Sequence, residues 1–344
     1  MIMAARRHRI NNYWDVIYDP LIDLDDFIDI KFGDLKHNLS PCKGLFDLGE
    51  IEDNIKTVKD ISFIECDIYG ELTVTKLNFK KCSFSKVYFG YSIFKNTKFQ
   101  NCVFKKCSFA MTKFISCQFI DCDFEEISFS GNETFFESTQ INSEVLIKSG
   151  YTNLDDSILK EKGTTCEYQK FRLEGTKAKM AKMVLNSLSA TADDDLYYNS
   201  VKTYLISKAN AKIYKHKYDL DNEVGFFKKN GSRLKVLTTR LELFVLRVSG
   251  AVNNWGNGLF RAIMVGFSLI FLFSIYYFSF FGASVVGSLI KSIDITFLAG
   301  YTKHVTKETA TFQQCVMLLN MCLGLWWYAI VIPTLINRIC SVRQ

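Results

Sequence analysis

Phenylalanine recurs at every fifth position through the first half of the chain: Phe79, Phe84, Phe89, Phe94, Phe99, Phe104, Phe109, Phe114, Phe119, Phe124 and Phe129. Two residues before each stands Leu77, Cys82, Val87, Ser92, Thr97, Cys102, Cys107, Thr112, Cys117, Cys122 or Ile127. A large residue thus alternates with one that is usually small, and three more polar positions complete each unit. A helix repeats every 3.6 residues and a strand every two, so neither gives this spacing. A short fixed period sustained over eleven units is the signature of a β-solenoid. Ile61–Phe63 and Cys66–Ile68 begin the same pattern, with a one-residue slip near Gly70.

These units resemble the pentapeptide-repeat family. The resemblance implies a right-handed quadrilateral β-helix, with the phenylalanine at the centre and the small residue beside it. Four units then make one coil, so residues 20 apart stack. Cys82, Cys102 and Cys122 fall on one inner column, with neighbouring rungs about 4.8 Å apart. We expect them to be buried, reduced thiols acting as small hydrophobes. One outward face carries Gly90-Tyr91, Ala110-Met111 and Ser130-Gly131 and reads as a docking surface or a merely uncharged face. Mimicry of DNA needs an acidic surface, whereas this repeat is rich in lysine, and the net charge of +6 is too small to announce a nucleic-acid binder. No nucleic acid is expected as a partner.

Around the repeat (61–131) the sequence divides further. Residues 1–60 read as an N-terminal cap, needed because the end rung of a solenoid is otherwise exposed. Residues 132–165 read as the far cap. Residues 166–231 read as a basic helical hairpin with Lys202, Lys208, Lys212, Lys215 and Lys217 on its second helix. It is either a solvated connector or a surface for anionic lipid or an anionic ligand. In 232–258, Leu234, Leu237, Leu241, Phe244 and Val248 recur at helical spacing, and Arg233, Arg240 and Arg247 recur every seven residues. This pattern predicts an amphipathic helix in a membrane interface.

Residues 259–344 carry two uncharged stretches, Ala262 to Phe281 and Phe312 to Ile336. About 20 apolar residues are needed to cross a hydrocarbon core. Between them, Ser284 to Phe297 is too apolar for a solvated loop and too short to span, which predicts a re-entrant half-helix. The order resembles the two-span pore module of potassium-channel-like proteins. That resemblance places a pore loop at Thr296, Leu298, Ala299, Gly300, Tyr301, Thr302 and Lys303. Only the Gly-Tyr pair of the family filter is kept; Thr302 replaces a glycine and Lys303 an aspartate. We therefore expect a pore without potassium selectivity. Gly324 and Pro333 are permissive kink points and read as a gate or as ordinary features of a membrane helix.

The expected fold is therefore mixed: a quadrilateral β-helix, a helical connector and an all-α two-span membrane pore domain. Combined, these segments resemble bacterial pentapeptide-repeat ion channels. The resemblance implies a gated homo-oligomer, in that family a tetramer, of the inner membrane, multi-pass, with both termini cytoplasmic by the positive-inside rule. Its partners would be membrane lipid, further copies of itself, a permeant ion, and an anionic ligand or protein regulator. An antiviral or stress effector is the role expected. The alternative is a membrane-anchored scaffold that binds a partner and does not conduct. His8, His37, His216 and His304 share no motif, the 11 cysteines form no zinc pattern, and no phosphate-binding loop occurs. We expect no enzyme, no metal and no cofactor.

Overall fold

The structure is a computed structural model. It describes residues 29–31, 42–47, 57–68, 73–90, 92–129, 134–150, 165–188, 194–222, 226–282, 284–298, 300–305 and 309–341. The chain forms two compact units, Met1–Leu243 and Phe244–Gln344.

Short parallel strands of the first unit build three sheets. The first runs β1 (Asp29–Lys31), β2 (Cys42–Asp47), β4 (Ser62–Ile68), β7 (Ser83–Ser85), β10 (Val103–Lys105) and β13 (Asp123–Glu125). The second runs β3 (Thr57–Lys59), β6 (Asn78–Lys80), β9 (Lys98–Gln100) and β12 (Gln118–Ile120). The third runs β5 (Thr73–Thr75), β8 (Ile93–Lys95), β11 (Lys113–Ile115) and β14 (Phe135–Glu137). On a fourth side the described residues form single bridges, Tyr88 to Ser108 to Ser128. This is the β-solenoid that the five-residue period predicts. Phe84 pairs with Phe104, and Phe104 with Phe124, as 20-residue stacking requires. Phe63 pairs with Phe84, one residue longer, which absorbs the slip near Gly70. Strands β1 to β3 lie in the segment expected as a cap, so the sheets begin before the recognisable repeat.

The phenylalanines fill the interior in columns. Phe63, Phe84, Phe104 and Phe124 stack at 4.9, 4.9 and 5.1 Å between ring centres. Neighbouring columns meet edge to face, as between Phe99 and Phe104 at 5.5 Å. Both geometries suit the ring quadrupole and add about 0.5–1.5 kcal/mol per pair to simple burial.

The position two before each phenylalanine has a polar task as well as a steric one. Cys102 Sγ donates to the Phe79 carbonyl, Cys107 to Phe84, Cys117 to Phe94 and Cys122 to Phe99, at 3.3–3.4 Å. Thr112 Oγ1 does the same to Phe89 at 2.9 Å, Thr134 to Phe109 at 2.7 Å, and Thr139 to Phe114 at 3.0 Å. Each donor serves a carbonyl of the coil before it. Burial pushes the Cys117 thiol up to about 11. The adjacent Cys122 thiol, with burial, pushes Cys102 up to about 12. The cysteines of the column are free and Cys82, Cys102, Cys107 and Cys117 are buried.

Two residues after the phenylalanine the backbone turns a corner through positive φ. Lys81, Lys86, Asn96, Asn101, Lys106, Met111, Ser116, Asp121 and Glu126 all sit between 49° and 59°. Asparagine and aspartate tolerate this region; lysine and glutamate do not gain from it. On the face expected to dock a partner, the Tyr88 ring occupies the space beside Gly90, where a Cβ would come within 2.2 Å. Tyr88 and Ala110 are buried, so the small residues there accommodate the protein's own tyrosine.

Helix α1 (Ser143–Lys148) is capped by Asn142, whose side chain accepts from the Glu144 and Val145 amides. Helix α2 (Cys166–Leu188) closes the end of the solenoid: Leu173, Met180, Ala181, Val184 and Leu188 join the phenylalanine core. Ser187 Oγ bonds the Thr139 main chain, and Phe136 N donates to Met183 Sδ at 3.4 Å. Helix α3 (Asp194–Asn222) pairs with α2 and ties to α1, with Lys202 Nζ 3.1 Å from Glu144. Lys148 and Lys202 together hold the Glu144 carboxyl below its ordinary range. The hairpin expected as a connector is therefore also part of the core.

Two outcomes test this account. Replacing Lys81 by asparagine should raise solenoid stability by roughly 0.5–1 kcal/mol, read as a shift in a denaturant midpoint, because the corner conformation is strained for lysine. In native protein at pH 8, alkylation should spare Cys82, Cys102, Cys107 and Cys117, and peptide mapping should find them modified only after unfolding.

Candidate functional site

Helix α4 (Phe226–Asn253) starts before the amphipathic segment read from sequence and ends before its predicted limit at 258. Chain reversal follows in a single 3₁₀ turn, Asn254–Gly256, where Asn254 and Trp255 take positive φ. The Trp255 ring lies against Gly250, 2.5 Å from where a Cβ would stand. Two faces of α4 are apolar. Val236 and Leu243 are buried with Ser232 and Thr239, while Leu234, Leu237, Leu241 and Phe244 are about 60% exposed. Arg233, Arg240 and Arg247 are exposed beside that second stripe. Sequence periodicity found the exposed stripe and missed the packed one, whose serine and threonine break an apolar pattern.

Helix α5 (Leu259–Phe281) and helix α8 (Thr311–Ser341) are the two apolar spans, and both contain a stretch long and apolar enough to cross a membrane. Only 22% of either stretch is buried, which is not the burial of a soluble core helix. Between them helix α6 (Val285–Thr296) is capped by Ser284, which accepts from the Gly287 amide at 3.1 Å. At 1.5 Å per residue its 12 residues reach about 18 Å, short of a hydrocarbon core. A short helix thus stands within the segment Ser284 to Phe297, where a half-helix is expected.

The polarity of α6 is inverted relative to a soluble helix. Ser288, Ser292, Ile295 and Thr296 are fully buried, while Val285, Val286, Leu289 and Ile290 are exposed. Small hydroxyl residues facing inward are what helix packing in an apolar medium uses. Ser292 Oγ donates to the Ile270 carbonyl of α5 at 2.8 Å. Thr296 Oγ1 donates to Asn320 Oδ1 of α8 at 2.9 Å, and Asn320 Nδ2 donates to the Tyr277 hydroxyl of α5 at 3.1 Å. All three side chains are buried. The chain Tyr277–Asn320–Thr296 thus joins three helices. Tyr277, Ser292 and Asn320 escaped the sequence reading; a lone asparagine within the second uncharged stretch was the available signal.

Glycines mark where main chains touch. A Cβ on Gly324 would lie 2.3 Å from the Thr296 carbonyl oxygen, so the end of α6 rests in a notch of α8. A Cβ on Gly266 would strike the Trp327 ring at 2.2 Å, and Trp327 Nε1 donates to the Ala262 carbonyl at 2.7 Å. Gly324, expected as a kink point, serves here as a contact surface within a continuous helix. Pro333 lies inside α8 and is exposed. Next to it, Thr334 Oγ1 donates to the Ile330 carbonyl at 2.7 Å and accepts from Asn253 Nδ2 at 2.9 Å.

The loop after α6 does not run extended. Leu298 has φ of 61°, the Gly300 amide donates to the Asp294 carbonyl at 3.1 Å, and Tyr301–His304 forms a short helical turn, α7. His304 Nε2 lies 3.1 Å from Asp294 Oδ2, pinning the turn to α6. Tyr301 is half-buried in the core of this unit, and Lys303 is exposed. Ala299 lies outside the described residues. Thr302 is within α7, where carbonyls point along a helix axis. A ladder of extended carbonyls, as in the filter this loop resembles, is not the conformation of Tyr301–His304.

A family model for pentapeptide repeats matches residues 82–118 and 92–131, with eight copies. The chain thus carries pentapeptide repeats, and they form part of the β-solenoid of its first unit. No curated protein matches the chain. Among the described residues no group of three or more His, Cys, Asp or Glu side chains is arranged to hold a metal ion.

Gly324→Ala should separate α6 from α8 and lower the melting temperature of the detergent-solubilised protein. Asn320→Leu should cost about 1 kcal/mol, since it strands the Tyr277 hydroxyl and the Thr296 hydroxyl together.

Proposed function

We propose that the second unit is an ion-conducting pore module that works as an oligomer in a membrane, with the pentapeptide-repeat solenoid as its cytoplasmic regulatory domain. The observation that carries this reading is helix α6. It is too short to span, presents its hydroxyl face to α5 and α8, and turns its apolar face outward. It ends in irregular backbone at Leu298 and Gly300. Such backbone is stable at membrane depth only when buried in protein or beside a water-filled path. One loop cannot surround a path, so several copies must; the resemblance implies four.

The exposed stripe of α4 with its arginine row suits the headgroup region of the inner leaflet. On the positive-inside rule, the basic residues around the spans support a cytoplasmic side for both termini. The helical turn at Tyr301–His304 and exposed Lys303 argue against potassium-type selection, which relies on rings of carbonyls and attracts cations. A scaffold reading would leave the buried network and the Gly324 notch without a task beyond anchoring.

Purified protein in planar bilayers should show discrete current steps. Under a potassium–sodium gradient the reversal potential should stay near zero. Gly300→Val should reduce the current sharply, because a Cβ there already meets the Asp294 side chain at 3.0 Å. Silent bilayers with correctly assembled oligomer would overturn the channel reading in favour of the scaffold.

A further inference from the structure

The fixed charges between the two spans decide the sign of ion that a path beside them admits. Residues 282–310 carry Lys291, Lys303 and Lys307 against Asp294 and Glu308. Lys307 and Glu308 adjoin in the sequence and cancel in formal charge. The other three charged residues lie on α6 and α7. Asp294 is not an open carboxylate. Its Oδ2 lies 3.1 Å from His304 Nε2, its side chain is three-quarters buried, and Gly300 packs against it. Among the described residues, neither Lys291 nor Lys303 is paired with a carboxylate. Lys291 Nζ stands over the rings of Phe281 and Tyr277, 4.7 and 5.3 Å from their centres. Ring faces hold a cation without neutralising it. Lys303 is exposed on the turn that follows the loop.

The dipole of α6 acts in the opposite sense. Its C-terminal end leads into the loop and carries about half a negative charge. A cation-selecting loop turns open carbonyls toward the ion. Here the last carbonyls of α6 are already occupied. Phe297 N donates to Ile293 O at 2.9 Å, Leu298 N to Ile295 O at 3.1 Å and Gly300 N to Asp294 O at 3.1 Å. The Thr296 carbonyl oxygen rests against Gly324 of α8. A full charge on exposed Lys303 therefore outweighs a half charge whose carbonyls are bonded within the chain. Copies gathered around one path bring several such lysines together, and their fields add.

We propose, resting on the pore reading of this unit, that the path passes small anions of the chloride class and that Lys303 selects them. The ring of Lys303 ammonium groups concentrates anions at the mouth and repels cations. Asp294, held by His304 and covered by Gly300, offers cations no competing site.

The test is current through the full chain in planar bilayers with a potassium chloride gradient. The reversal potential should lie on the chloride side of zero, and exchanging chloride for gluconate on both sides should remove most of the current. Lys303→Glu should lower the chloride-to-potassium permeability ratio by about tenfold or more, since a ring of lysines becomes a ring of carboxylates. Lys303→Arg should keep the ratio of the unaltered chain. Current in symmetrical potassium chloride reports that each variant still assembles. A reversal potential on the potassium side would overturn anion selection while the pore reading stands. So would a permeability ratio that conducting Lys303→Glu leaves unchanged. Silence of the assembled, unaltered protein in every salt would instead overturn the pore reading, and this proposal with it.

Discussion

Buried main-chain carbonyls govern both halves of this protein. A solenoid corner turns a phenylalanine carbonyl toward the interior, out of reach of water. An unpaired carbonyl there would cost about 1–3 kcal/mol. A cysteine or threonine of the following coil, two residues before a phenylalanine of the neighbouring column, supplies the donor. The same solution recurs in the second unit. There Trp327 serves the Ala262 carbonyl, and Ser292 serves that of Ile270. Hydrophobic columns give the solenoid its energy, but these side-chain donors let its chain turn so often within a dry core.

That requirement explains the cysteine content better than redox chemistry does. A thiol is small enough to sit beside a phenylalanine column and still donates a weak hydrogen bond. Threonine does so at shorter distance, 2.7 Å at Thr134 against 3.4 Å at Cys102, and is interchangeable with cysteine along the repeat. Where the position is Val87 or Ile127, packing is kept and the donor is given up. The raised Cys117 thiol follows from the same burial that makes the donors necessary.

The repeat was legible because one residue type marks every unit, and the stacking distance then follows from four units per coil. What the period could not reveal was where the coil breaks its own rule. The strands at Asp29–Lys31 and Cys42–Asp47 lack the phenylalanine beat, yet they extend the first sheet. The six residues Ser143–Lys148 form a helix where stacking alone would place a strand, because Asn142 caps it and Leu146 and Ile147 plug the core. In the second unit, the short middle helix was readable from its length and apolarity. The contacts of Gly324 and Asn320 were not, since both depend on which helix lies opposite, and sequence spacing carries no information about that partner. The loop at Gly300 resembles a filter by two residues, whereas its conformation is set by the capping and hydrogen bonds around Asp294 and His304.

Polarity separates the environments of the two units. In the solenoid, aromatic side chains point inward and lysines outward, as water demands. In the second unit, Phe267, Phe271 and Phe278 are at least half exposed, whereas Ser288, Ser292, Thr296 and Asn320 have no exposure at all. Exposing three phenylalanine rings to water while burying four polar side chains would forfeit several kcal/mol of hydrophobic energy, at about 1.5–3 kcal/mol per ring. In lipid the balance reverses: the rings lose nothing, and the polar groups must find one another. The Tyr277–Asn320–Thr296 chain is the form that pairing takes, and it fixes the end of α6 against α8. A displacement of α8 must therefore either carry the loop at Gly300 with it or break hydrogen bonds that no water is present to replace. On the proposed channel reading, that link is what couples the last helix to the loop.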